Sequence, residues 1–115
     1  MQIKKSYQNL KPELLFDEVR DFVVKQGAAI GESKMEYYSL PTDSSTFISR
    51  GTLTFKTANS GRECIRAHIV GSATGETKLL LDIDEKLFAQ PQVNALEKDL
   101  DFIFDSYEVK PTTPQ

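Results

Sequence analysis

The chain has 115 residues, 39% of them hydrophobic and 27% charged, with a net charge of −3 at pH 7. That length suits one domain with its own core and excludes two, and the composition is that of a folded rather than a disordered chain. A lone cysteine, Cys64, excludes an intrachain disulfide and a multi-cysteine zinc site, and a pI of about 5.1 argues against general attraction to nucleic acid or an anionic membrane.

The opening MQIKKSYQNL leads into no apolar signal segment, and no apolar run approaches the ~18 residues of a membrane span, so a cytoplasmic protein away from membranes is expected. Residues 3–7 alternate briefly and suit either a short edge strand or a solvated arm. Lys11-Pro12-Glu13 then opens a helix, because proline at the first helical position gives up an N–H that would lack a partner there anyway. Leu15, Phe16, Val19, Phe22 and Val23 recur at helical spacing, and Gly27 supplies a stop. Across 28–40 the apolar residues Ile30, Met35, Tyr37 and Tyr38 do not share one parity, which predicts a strand that is bulged or lies at a sheet edge. Leu40-Pro41-Thr42-Asp43-Ser44-Ser45 is dense in turn formers.

Between 46 and 84 the odd positions Phe47, Leu53, Phe55, Ile65, Ala67, Ile69, Leu79, Leu81 and Ile83 are apolar while the even ones are mostly polar. Period two over that length predicts a three-stranded antiparallel meander with one buried face. Its turns fall near Ala58-Asn59-Ser60-Gly61 and Ala73-Thr74-Gly75, with Gly75 placed for a positive φ. Gly51 and Gly71, at inward positions, either let the sheet bend or leave room beneath it for a ligand. Pro91 opens a second helix over 91–107 that presents Val93, Leu96, Leu100, Ile103 and Tyr107 to the sheet and an acidic outer face whose last residues favour fraying. Residues 110–115 lack an apolar anchor and read as a disordered tail, leaving 1–109 as a single domain. The expected fold is a two-layer α+β domain in the order β-α-β-β-β-β-α, with an antiparallel meander of four or five strands and both helices on one face.

No catalytic or metal spacing stands out. Cys64 and His68 lie four apart on a strand, about 13 Å at ~3.3 Å per residue, too far for a nucleophile and its base; they read as a small and a polar residue of the outer face. Asp82 and Asp84 share a strand face about 7 Å apart, a spacing at which carboxylates do acid and base work, but an ordinary cross-strand pairing of Asp82 with Arg66 accounts for them better. The outer face also carries Ile48, Arg50, Val70, Lys78 and Leu80. It is basic without the aromatic side chains on which bases stack, so nucleic acid is not the expected partner, whereas its apolar members suit self-association or a protein partner. No cofactor or metal is implied.

The order of elements, from MQIKKSYQNLKPELLFDEVRDFVV through the meander to the long last helix, resembles a shortened START or Bet v 1-like helix-grip domain. That resemblance spans most of the chain and implies a small apolar ligand held between sheet and C-terminal helix, with Phe47, Phe55, Leu81, Leu100 and Tyr107 lining it. The sequence by itself favours a non-catalytic binding or protein-interaction module. A helix-grip-like carrier is the first alternative and an enzyme using Asp82 and Asp84 the second.

Overall fold

The computed structural model describes residues 1–40, 43–72 and 75–109; residues 41–42, 73–74 and 110–115 lie outside the described residues, and with them fall parts of the two expected turns and the whole of the expected disordered tail. The elements are β1 (Gln2–Gln8), α1 (Pro12–Lys25), β2 (Ala29–Leu40), β3 (Asp43–Lys56), β4 (Glu63–Gly71), β5 (Glu76–Ile83) and α2 (Gln90–Phe104), followed by a 3₁₀ turn (Asp105–Tyr107). They form an α+β fold whose five strands make one antiparallel sheet in the order β1-β5-β4-β3-β2. The meander from β2 to β5 follows the chain, and β1 closes against the far side of β5, with Ile3 opposite Leu81.

Strand parity sets which side of the sheet is dry. Leu53, Phe55, Ile65, Ala67, Ile69, Leu79, Leu81 and Ile83 are all buried, and they share one core cluster with Leu15, Phe16, Val19 and Val23 of α1 and Val93, Leu96 and Leu100 of α2. Pro12 and Pro91 sit in the first turns of their helices, and Gly27 leaves α1 at φ 98°. β2 is an edge strand, and its pairing with β3 slips between Ile30 and Ser33, so it is both bulged and peripheral. The turn from β1 into α1 uses Asn9 at φ 60°, a conformation asparagine tolerates better than most residues, and its N–H donates to the Gly75 carbonyl at 3.0 Å.

Several expectations are corrected. Phe47 has core parity, standing opposite Ser39, but it is 56% exposed. β3 outruns the rest of the sheet there, since its pairing with β4 begins only at Ser49, where the hydroxyl donates to Glu13 Oε1 at the start of α1 (3.0 Å). No helix therefore covers Phe47. In α2 the stripe continues from Leu100 to Phe104, which packs edge-on against Tyr7 with ring centroids 6.1 Å apart, while Ile103 and Tyr107 are exposed. A period of 3.6 from Val93 falls nearer to 104 than to 103, and the helix ends at Phe104, leaving Tyr107 in the 3₁₀ turn. The end is pinned by Lys5, whose ammonium lies 3.1 Å from Asp101 and 3.3 Å from Glu108, and by the Val109 N–H donating to the Ser6 carbonyl at 2.7 Å.

Cys64 belongs to the core cluster rather than the outer face, because the β3–β4 register shifts between Phe55 and Lys56 and breaks the alternation beside it. Among the described glycines, Gly27 and Gly61 take positive φ and Gly75 does not.

Candidate functional site: the uncovered sheet face

Since both helices pack on the odd-numbered side of the meander, no second layer lies over the even-numbered side among the described residues. Register aligns its residues in rows. Arg50, Val70, Lys78 and Ser6 stand side by side across β3, β4, β5 and β1, and the next row is Thr52, His68, Leu80 and Lys4. Ile48 lies two residues before Arg50 on the same face of β3.

Ile48, Val70 and Leu80 are half-buried by their neighbours alone, while Arg50, Lys78 and Lys4 are exposed. Two open depressions adjoin here and share Val70 and Lys78. One, of about 390 Å³, is bounded by Lys4, His68, Val70, Lys78 and Leu80; the other, of about 350 Å³, by Ile48, Val70, Ser72, Glu76 and Lys78. The arrangement is an apolar floor with Lys4, Lys78 and Arg50 at its margin and one carboxylate, Glu76, at one end, so most of the rim is suited to partners that carry carboxylates beside apolar side chains.

Arg66 lies further along the same face, directly opposite Asp82 in register, but its guanidinium pairs with Glu63 at 2.9 Å. The expected Arg66–Asp82 alignment is therefore present while the ion pair goes elsewhere. Asp82 and Asp84 are both exposed beside an open depression of about 260 Å³, and Asp84 Oδ1 accepts the Lys86 N–H at 3.0 Å. Cys64 is buried and its thiol is pushed up chiefly by that burial, so it is a poor nucleophile, and it lies in the core while His68 is on the outer face.

Of the residues expected to line a ligand cavity, three are brought together and two are not. Phe55, Leu81 and Leu100 are fully buried in the core cluster, whereas Phe47 and Tyr107 are exposed. The space under Gly51 is occupied by Phe16, and a side chain on Gly71 would run into Thr77. Sequence reasoning missed Lys4 as part of the open face. Its place depends on β1 pairing with β5, which no local pattern encodes, whereas the even parity of His68 had already placed that residue on the outer face, where it stands beside Leu80.

Comparison of the chain with protein-family models, with curated proteins and with solved structures finds no match. Among the described residues no group of three or more His, Cys, Asp or Glu is placed to hold a metal ion, and no helix is long and apolar enough to cross a membrane.

Proposed function

We propose that this chain is a non-catalytic protein-interaction module that docks through the open face of its sheet. The observation that carries the reading is the row-by-row placement of Ile48, Val70 and Leu80 on a face that neither helix covers, with Arg50, Lys78 and Lys4 around them. Burying that floor would contribute on the order of 25 cal/mol per Å² of apolar area, and the surrounding cations would select a partner bearing carboxylates and make its capture sensitive to salt.

The test is selection of displayed peptides on the immobilised protein, followed by titration of the enriched sequences. Apolar peptides with acidic flanks should emerge, and Leu80→Asp should weaken them at least ~10-fold, since a carboxylate at the centre adds both desolvation and repulsion. Absence of enrichment, or peptides indifferent to Leu80→Asp, would remove the open face as the docking surface.

A further inference from the structure

The sheet has two edges, and they are treated differently. Beyond β1, the chain after α2 returns to the edge: Glu108 bridges to Tyr7 and Val109 donates to Ser6. Beyond β2 no described strand follows, so a strand of 12 residues presents one row of backbone N–H and C=O groups outward. Past its bulge the strand pairs with β3 without a slip from Ser33 to Ser39, and 33–37 contains no proline.

The charges on that edge complement themselves. Lys34 and Glu36 sit on the outer face, 3.6 Å apart at their closest charged atoms, and the Tyr38 hydroxyl donates to Glu36 at 2.8 Å. That hydrogen bond, more than the nearby lysine, holds the Glu36 carboxyl below its usual range and so keeps it anionic. Met35 and Tyr37 lie on the helix side, and Tyr37 is 58% exposed.

Consider an antiparallel copy of this edge related by a twofold axis normal to the sheet and passing beside Met35. Lys34 then faces Glu36 of the second copy and Glu36 faces its Lys34, two reciprocal pairs at the distance of direct cross-strand neighbours. On the other face Met35 meets Met35, with Tyr37 diagonal to it, a favourable sulfur–aromatic arrangement. Shifting the axis to Lys34 or to Glu36 sets like charges against each other. An axis at Ser33 would draw in the bulge, where the Glu32 N–H is turned to Thr54 Oγ1 at 2.7 Å.

We infer that the partner of the β2 edge is a second copy of this chain, paired antiparallel about Met35 so that the two sheets become continuous and Lys34 and Glu36 form a reciprocal quartet. An isologous contact of this kind closes on itself, so the β2 edges that it pairs are not left to recruit a third copy. The contact is separable from the open-face reading at Leu80 and Val70, which stand on β5 and β4 away from the β2 edge, although Ile48 and Arg50 of that face lie opposite Tyr38 and Glu36.

Sedimentation equilibrium of the wild type, Lys34→Glu, Glu36→Lys and the combined exchange tests it. The wild type should be a dimer. Each single change should raise the dimer dissociation constant at least ~10-fold by replacing two attractions with two repulsions, and the combined exchange should restore it. All four positions of charge are on the solvent side of an edge strand, so the fold should be retained, which circular dichroism checks. In parallel, Met35→Cys should form a covalent dimer on mild oxidation, whereas the wild type, whose one thiol is buried, should not. A wild type that stays monomeric at high concentration, a dimer indifferent to both single changes, or one that the combined exchange fails to restore would overturn the inference. Loss of the dimer in Leu80→Asp but not in Lys34→Glu would assign self-association to the open face instead.

Discussion

The ring of Phe16 lies on the backbone of Gly51: a Cβ built on that glycine would stand 2.6 Å from Phe16 Cδ2 and 3.2 Å from the Met35 methyl. The missing side chain thus seats α1 on β3 rather than opening a space beneath the sheet. Gly51→Val should therefore destabilise by about 1–3 kcal/mol, the usual cost of overpacking a filled core. Urea unfolding measures it, and a neutral result would mean the space under Gly51 is empty.

Leu81 and Phe47 share strand parity but not environment. Leu81→Ala should cost about 2–5 kcal/mol because the residue is fully buried, while Phe47→Ala should cost below about 1 kcal/mol because it lies beyond the reach of α1. Equal losses in urea unfolding would show that the helix layer extends over the end of β3.

Tyr7 is fully buried, and among the described protein groups its hydroxyl has no hydrogen-bond partner. Burial, followed by the charge of Glu108, pushes the phenol well above its ordinary range, so it stays neutral. Tyr7→Phe removes the unsatisfied hydroxyl and keeps the edge contact with Phe104, and should stabilise by about 1 kcal/mol. A lower midpoint in thermal unfolding would reveal a partner for that hydroxyl.

Glu18 of α1 and Asp99 of α2 form a carboxyl pair between the helices. Burial, then the hydrogen bond and charge of Asp99, raise the Glu18 carboxyl from 4.5 to about 7, and among the described residues no further group donates to the buried Asp99 Oδ2. The raised value belongs to the folded state, so the stabilisation is complete below about pH 4.5 and is lost as pH climbs through about 7. Glu18→Gln should flatten that slope and at pH 8 raise stability by on the order of 1 kcal/mol once solvent screening is allowed for. Thermal unfolding at pH 5 and pH 8 reads it, and an unchanged pH slope in the variant would dissociate Glu18 from the effect.

The alternation from Leu53 to Ile83 and the prolines at 12 and 91 were enough to determine three meander strands, two helices and the core that joins them. A residue's parity in a strand and a helix's first turn are local properties of the backbone, and Ile48, Val70 and Leu80 were legible as one face for the same reason. Placing β1 beside β5 was not local, and neither was the arrival of Lys4 next to Leu80 that completes the margin of the open face. The sign alternation of Lys34 and Glu36 is visible in the sequence, yet only the strand order makes β2 an edge on which it can act. Phe104 displaced Ile103 because Tyr7 lies beneath it, and Cys64 entered the core because a register shift interrupts the alternation beside it. Phe47 marks the boundary most plainly: its own backbone decides which face it occupies, and the length of the helix above decides whether that face is dry.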